Sequence, residues 1–245
     1  MCEAPSKGAR TGWAGWLDAP SRPASRPNGP WVDLTYSFSR DVPRSALFPP
    51  PSLSYFAKMP DKPLNISRLE TVVHVGTHVD APRHFYSDGP GMDNVPLDRM
   101  MGEGVVAKIT KPPFGAIEAR DLEAVDPQIE EGDILALCTG WSKHWGKPDW
   151  NRHPHLSMDA AEWCVEKRIK LVAVDTATPD LAYDRRSGDF GFPIHCELLK
   201  HGILIAEQLA NLESLAGERV EFMFCPIPLA DCDGAPARVL ARSVA

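Results

Sequence analysis

The sequence has no excess of positive charge. Its 245 residues include 26 Lys and Arg against 33 Asp and Glu, which gives a formal net charge of -7. Domains that bind nucleic acid usually carry a basic patch or stripe, and the sequence has neither. We therefore expect no nucleic-acid partner, and a small molecule fits the charge balance better.

Long apolar runs are also missing. The longest are far too short to span a bilayer, and the opening residues MCEAPSKGARTGW lack the apolar core of a signal peptide. None of the six cysteines forms a C-x-x-C pair, which disfavours a thiolate zinc site or a redox pair. We expect a cytoplasmic protein that has no membrane partner and whose cysteines are buried free thiols.

The composition is that of a globular chain, with 43% hydrophobic and 24% charged residues. Residues 1–30 are rich in Pro, Ser, Gly and Arg, which predicts a loosely packed N-terminal arm. Trp13 and Trp16 are the exception, because they can anchor the arm on this subunit or on a partner. Residues 31–245 are expected to form one domain.

Apolar and alternating segments predict a mixed α/β class, although they leave the topology open. The proline-rich stretch 39–63 is expected to be a loop, in which Phe48 can wall a substrate pocket. The predicted strands cover 31–38, 67–81, 104–110, 132–141, 169–176, 203–207 and 218–229, and the predicted helices cover 119–125, 157–167 and 197–202.

Histidines cluster in one short segment. His74, His78, Asp80 and His84 lie within eleven residues of a chain that has eight histidines in total. Imidazole and carboxylate are the usual ligands of zinc and manganese. On a straight strand His74 and His78 would be roughly 13 Å apart, so a shared ion requires a bend, most easily at Gly76. Pro82 should end the strand and turn the His84 side chain away from the other three residues, so that His84 is free to act as a base.

The cluster resembles the signature H-x-G-T-H-x-D-x-P-x-H of the cyclase family of metal-dependent hydrolases, which includes bacterial kynurenine formamidase and isatin hydrolase. All seven fixed positions of the signature are present. The resemblance extends over about residues 31 to 240 and includes Asp33-Leu34-Thr35, Gly132-Asp133 with Thr139-Gly140-Trp141, Val174-Asp175-Thr176, His195 with the Glu207–Leu212 stretch, and Asp233-Gly234-Ala235-Pro236 with Arg238.

The resemblance implies a swivelling β/β/α single domain, a divalent cation that is Mn²⁺ or Zn²⁺, and a homo-oligomer such as a dimer or tetramer. His74, His78 and Asp80 would hold a first ion. Where a second ion binds, Asp80 would bridge to it, and His195 and Glu207 would complete its site. His84 would be the catalytic base and acid. Asp175, which ends a buried strand, has no assigned role.

The function expected from this resemblance is hydrolysis of an amide in a small molecule, either an aryl formamide or a cyclic amide such as isatin. The stretch after the first strand, RDVPRSALFPPPSLSYFAKMP, departs from the P-G-D-like stretch common in kynurenine formamidases. Phe48, Phe85 and Trp141 are candidate substrate contacts. Two other functions stay open. One keeps the metal but performs cyclisation, dehydration or lactone and ester hydrolysis, and the other is a metal-stabilised binding module without turnover.

Overall fold

Twelve strands, three α-helices and seven short 3₁₀ turns make up the regular structure of residues 10–20 and 25–245, the part of the chain that this computed structural model describes. The helices are α1 (Ala119–Glu123), α2 (Met158–Glu166) and α3 (Pro193–Lys200). The strands are β1 (Val32–Asp33), β2 (Ser52–Ala57), β3 (Ile66–Glu70), β4 (His78–Asp80), β5 (Met101–Lys108), β6 (Ala116–Ile117), β7 (Ile134–Cys138), β8 (His155–Leu156), β9 (Leu171–Val174), β10 (Leu204–Glu207), β11 (Arg219–Pro226) and β12 (Gly234–Ser243).

The main sheet has eight strands and closes on itself. Its order is β1-β12-β11-β5-β7-β9-β10-β4, and β4 pairs with β12 as well as with β10. Strands β5, β7, β9 and β10 are parallel to one another, whereas β4 is antiparallel to both of its neighbours. The short strand β4 therefore lies in the seam where the two ends of the sheet meet.

The parallel strands are buried on both faces, which explains their almost continuous apolar sequences. Side chains alternate between two cores. Val106 and Ile134 point into the core enclosed by the sheet, while Val105 and Leu135 point outward against the helices. The outer core is completed by helix residues such as Leu198 of α3. The mixed α/β single domain expected from the sequence is confirmed by this architecture.

The strand predicted over 67–81 is wrong as a single element. It divides into β3 and β4, and residues 71–77 between them belong to no strand. The proline-rich stretch 39–63 is also not a continuous loop, because it contains β2, which forms an antiparallel hairpin with β3. No sequence pattern separates the two halves of 67–81, because the alternation of apolar and polar residues continues through Gly76.

Two further strands differ from expectation. The strand predicted over 31–38 is reduced to Val32–Asp33, and β12 was not predicted at all.

Helix α3 begins at Pro193, four residues before the predicted start at Glu197. Proline is well suited to the first turn of a helix, where its missing N–H would have no partner.

Residues 10–20 of the N-terminal arm pack on this same chain. Trp13 and Trp16 meet edge to face with ring centroids 5.4 Å apart, and Trp16 reaches the inner core cluster. The Arg99 guanidinium lies over the Trp16 ring at 5.5 Å. Backbone contacts continue the attachment, because the Ala14 N–H donates to the carbonyl of Lys200. Both tryptophans thus anchor the arm within one subunit.

Within the described ranges, no helix has the length and apolar character needed to cross a bilayer.

Replacing Trp16 by Ala should lower the free energy of unfolding by about 2–3 kcal/mol, less than the roughly 3–5 kcal/mol for a fully buried aromatic side chain because Trp16 is only partly buried. Urea unfolding followed by circular dichroism measures the change. Trp31→Ala is the matched control, since Trp31 is 38% exposed. Equal losses in the two variants would contradict the anchoring role of Trp16.

Candidate metal centre

Strand β4 brings three potential ligands together by its pairing. His78 lies directly opposite Glu207 of β10, and Asp80 lies two residues further along the same face. Both His78 and Asp80 are almost completely buried. The His78 Nε2 is 3.3 Å from Asp80 Oδ1 and 3.5 Å from Glu207 Oε2. The seam of the sheet therefore holds a cluster of an imidazole and two carboxylates.

His74 reaches this cluster because the chain turns before β4. Gly76 has φ +72°, a left-handed conformation that glycine adopts without strain. The turn is located at the residue where the sequence predicted a bend. It places His74 Nδ1 2.7 Å from Asp80 Oδ1. His74 and Asp80, six positions apart in sequence, are thus in direct contact.

His195 approaches from helix α3. Its first turn is held by Asp180, whose carboxylate accepts the backbone N–H groups of Ile194 at 3.0 Å and His195 at 3.2 Å. The same carboxylate lies 2.5 Å from His195 Nδ1. The opposite nitrogen, Nε2, is left 3.2 Å from Glu207 Oε1 and 3.5 Å from Asp80 Oδ2.

Each of the three imidazoles is oriented by a protein acceptor outside the cluster. His78 Nδ1 donates to the carbonyl of Gly76 at 2.7 Å, His195 Nδ1 faces Asp180, and His74 Nε2 lies 2.7 Å from Asp233 Oδ2. Metal-ligating histidines in proteins almost always have such a partner, which fixes the ring and its tautomer. The cluster has the surroundings of a metal site as well as its ligand types.

A second, independent observation also indicates that these residues fit a divalent cation. His78 Nε2 and Asp80 Oδ2 are buried and have no hydrogen-bond partner among the described residues. Leaving such groups unpaired is costly. Ligand atoms of His74, His78 and Asp80 lie within 4.8 Å of one another, and so do those of Asp80, His84 and His195. One cation beside Asp80 would satisfy both unpaired atoms, and the imidazole and carboxylate donors suit zinc or manganese.

The electrostatics of the cluster agree with this fit. Burial opposes the charged form of His74, but the Asp80 and Asp233 carboxylates at its two nitrogens outweigh burial and raise its pKa to about 10. Burial likewise disfavours the Asp80 carboxylate, yet the neighbouring imidazoles of His74 and His78 hold its pKa well below the usual range. The carboxylates thus require a positive charge beside them, which a cation can supply in place of protons.

His84 lies at the edge of the cluster, facing a cavity. It ends a short 3₁₀ turn that begins at Pro82. Its ring stacks on His74 with centroids 3.9 Å apart, and its Nδ1 is 3.3 Å from Asp233 Oδ2. Burial lowers the pKa of His84 below its ordinary value. Pro82 thus turns the chain so that His84 meets the cluster from a different side than β4.

The cavity beside the cluster has a volume of about 270 Å³. Its walls include both Phe48 and Phe85, two of the three predicted substrate contacts. The Phe85 ring lies 5.5 Å from that of Phe192, centroid to centroid. Four of the five candidate ligands line the cavity together with the candidate base His84, namely His74, Asp80, His195 and Glu207. The fifth candidate ligand, His78, is completely buried behind them.

Trp141 does not belong to this cavity, contrary to the prediction from sequence. It is buried, and its indole N–H donates to the carbonyl of Trp150 at 2.9 Å. Asp175, to which the sequence assigned no role, fixes the position of Trp141. Its carboxylate accepts the backbone N–H groups of Thr139 and Trp141, and burial raises its pKa to about 7. Asp175 therefore holds the turn after β7 and does not touch the cluster.

Sequence reasoning missed the orienting residues Asp180 and Asp233. Asp233 stands in the closing D-G-x-P-x-R element, where the pattern marked it without giving a role. Asp180 has no comparable signal, because its function depends on where α3 begins. Gly234 belongs to the same element and was likewise marked without a role. A Cβ at this position would lie 2.7 Å from His74 Cε1 and 2.9 Å from the Val79 carbonyl.

Comparison with known proteins identifies the relatives of this chain. The cyclase family model matches residues 32–181. A kynurenine formamidase of Bacillus cereus is 32% identical over 222 residues, which cover 87% of this chain and 98% of the relative.

Solved structures share the fold. The chain is similar to an isatin hydrolase bound to the product analogue thioisatinate, with a TM-score of 0.79, 23% identity, and coverage of 88% of this chain and 92% of that one. It is also similar to a potential metal-dependent hydrolase with cyclase activity, with a TM-score of 0.72, 26% identity, and coverage of 88% and 98%.

Gly234→Ala should weaken Mn²⁺ or Zn²⁺ binding by about 10- to 100-fold, the range for loss of a residue that orients a ligand. The added methyl group has to displace His74 or the β4 backbone, although no ligand is removed. Affinity is measured by competition with a chromophoric chelator. Gly188→Ala is the control, because nothing lies within 4 Å of a Cβ at that position. Wild-type affinity in Gly234→Ala would show that the close approach at Gly234 does not position a metal ligand, whether His74 or a residue of β4.

Proposed function

The chain belongs to the cyclase family of metal-dependent hydrolases, and we propose that it hydrolyses the amide bond of a small aryl formamide or of a cyclic amide such as isatin. The observation that carries the proposal is the buried cluster around Asp80, which opens onto a cavity with aromatic walls. The named activities of the formamidase and isatin hydrolase relatives share this chemistry, the cleavage of a C–N bond outside peptides.

We assign His74, His78 and Asp80 to a first ion. Asp80 would bridge to a second ion, for which His195 and Glu207 complete the ligands. Support comes from the contacts of Asp80, whose two oxygens face different imidazoles, Oδ1 those of His74 and His78 and Oδ2 that of His195. The donors are those of zinc and manganese sites, and we propose one of these two metals.

A divalent ion held there would lower the pKa of water and polarise the carbonyl of the substrate. His84 performs the proton transfers. It takes a proton from the attacking water and returns it to the leaving nitrogen, so that the amide C–N bond breaks and a carboxylic acid and an amine form. Asp233 positions the His84 ring through Nδ1.

The cavity selects planar aromatic substrates in this proposal. Phe85 and Phe192 form one side, and Phe48, Trp150 and Tyr183 add further aromatic surface. Flat aromatic rings pack favourably against such side chains at offset or edge-to-face angles. A formanilide or an isatin ring has the size and flatness for this space, with its amide directed to the cluster.

The β2–β3 hairpin supports a homo-oligomer, a dimer or a tetramer. Tyr55 is 56% exposed and Phe56 70% exposed, and Ile66 and Leu69 of the facing strand are also exposed. Exposed apolar patches of this kind mark protein interfaces. The hairpin directly follows the segment that contains the cavity-lining residues Leu47 and Phe48, so a second copy bound there would also stabilise the mouth of the active site.

We also propose that the protein works in the cytoplasm. Its five described cysteines are free thiols, the usual state in a reducing compartment. Cys138 and Cys164 are buried as expected, whereas Cys225 is exposed and corrects the expectation of uniformly buried thiols. Cys2 lies outside the described residues.

The protein loaded with Mn²⁺ or Zn²⁺ should hydrolyse isatin or N-formylkynurenine, and excess chelator should abolish turnover. Absorbance changes of either substrate measure the reaction. Dehydration or cyclisation products would redirect the assignment to the cyclase or dehydratase alternative, and turnover of lactones or esters alone would favour that hydrolase class. Metal-dependent thermal stabilisation without turnover of any amide, lactone or ester would favour a binding module.

His84→Ala should reduce kcat by about 10² to 10⁴, the usual contribution of a general base. The metal content should stay at the wild-type level, because His84 is not assigned as a ligand. Steady-state kinetics and metal analysis separate the two effects. His201→Ala is the matched control, since His201 follows α3 and pairs with Glu197 outside the cavity. Full turnover by His84→Ala would exclude the assigned role, and loss of metal would make His84 a ligand.

A further inference from the structure

The metal centre and the proposed hydrolysis give no role to the side chain of Gln208. Gln208 directly follows Glu207, lines the same cavity and is only 5% exposed. Its side-chain oxygen, Oε1, is buried and has no hydrogen-bond partner among the described residues. A buried acceptor without a donor is unfavourable, and proteins rarely keep one without a reason.

The backbone of Gln208 is also held in an unusual conformation. Its φ is +61°, in the left-handed region that side-chain-bearing residues rarely occupy. Two contacts fix it there, because the Gln208 N–H donates to the carbonyl of Thr176 and the Gln208 carbonyl accepts from the Thr77 hydroxyl. Strained residues of this kind cluster at functional sites. The fold thus holds an unpaired amide oxygen beside the metal ligands.

The missing partner must be a hydrogen-bond donor. A secondary amide offers one acceptor, its carbonyl oxygen, and one donor, its N–H. The carbonyl oxygen is the atom that a cation polarises, so the N–H remains for a protein acceptor. Gln208, the immediate neighbour of Glu207, lines the cavity and carries such an acceptor without a partner among the described residues.

We propose that Gln208 Oε1 accepts the N–H of the scissile amide, which makes Gln208 a specificity-determining residue for secondary amides over N-substituted amides and esters. The inference rests on the proposed amide hydrolysis. It narrows the substrate class, because both an aryl formamide and isatin carry this N–H while their N-methyl derivatives and the corresponding esters do not.

The test compares isatin with N-methylisatin. Wild-type enzyme should show a kcat/KM about 10- to 100-fold higher for isatin, the range expected when one buried hydrogen bond is lost. In Gln208→Met, which keeps the length of the side chain but not the acceptor, the value for isatin should fall by a similar factor. The ratio between the two substrates should approach one.

The matched control is Gln128→Met, because Gln128 is the only other glutamine of the sequence. Its Nε2 donates to the carbonyl of Val125, away from the cavity. This variant should retain the wild-type substrate ratio. Gln208→Met should melt at the same temperature as wild type or higher, since the oxygen it removes has no partner. A melting temperature several degrees lower, with an unchanged substrate ratio, would mean that the Gln208 side chain stabilises the fold and does not bind the substrate. That result would overturn the proposal.

Binding separates failure of this inference from failure of the proposed function. Calorimetry of the manganese-loaded protein with oxindole and N-methyloxindole needs no turnover. Tighter binding of oxindole by about tenfold, lost in Gln208→Met, would support the inference even if isatin is not hydrolysed. Hydrolysis of isatin with no preference for the N–H form would overturn the inference and leave the proposed function standing. Equal binding of the two oxindoles, or no binding of either, would overturn it as well.

Discussion

The structure depends on how the negative charge of the buried Asp80 carboxylate is compensated. Asp80 is almost completely buried in the seam of the closed sheet, and Glu207 contacts two of the imidazoles that approach it, those of His78 and His195. An ionised carboxylate is costly to bury unless it meets opposite charge or several hydrogen bonds. Three histidines approach Asp80 within 3.5 Å, and a cation would complete the charge compensation that hydrogen bonds within the cluster leave unfinished.

The closed sheet makes this arrangement rigid. Strand β4 has only three residues, yet it pairs with β10 on one side and β12 on the other. Each partner contributes to the site, since Glu207 ends β10 and Asp233 precedes β12. A ligand on a strand fixed at both edges cannot shift without breaking the sheet. The same pairing that closes the domain therefore sets the geometry around Asp80.

The local part of this site can be predicted from sequence, whereas its distant part follows from topology. His74, His78, Asp80 and His84 lie in one segment, so spacing and strand geometry sufficed to group them and to predict the bend at Gly76. His195 and Glu207 are more than one hundred residues away in the sequence, and only the family resemblance associated them with the cluster. Their approach depends on strand order, which no local pattern encodes. Asp180 was missed for the same reason.

The fold shows the same division between local and non-local information. Strands β7 and β9 were recognised because burial on both faces requires apolar residues throughout. Strand β12 was missed, since glycine, alanine and Pro236 have low strand propensity and the strand forms only because partners flank it. Strand β2 was missed because its mostly exposed residues carry little of the burial pattern that marks a core strand.

Two of the six described non-glycine residues with positive φ lie where the cavity meets the cluster. Gln208 and Phe192 both have positive φ, at +61° and +53°, and both line the cavity. Phe192 precedes the first turn of α3, which carries His195, and Gln208 follows Glu207 at the end of β10. Such conformations persist only where the surrounding structure enforces them. Here the enforcing contacts are the Asp180 carboxylate at the start of α3 and the hydrogen bonds that Gln208 makes to Thr77 and Thr176. The two elements that supply His195 and Glu207 thus each end in a strained residue facing the substrate space. Relieving that strain would stabilise the domain, but it would also release the side chains that shape the cavity around the amide.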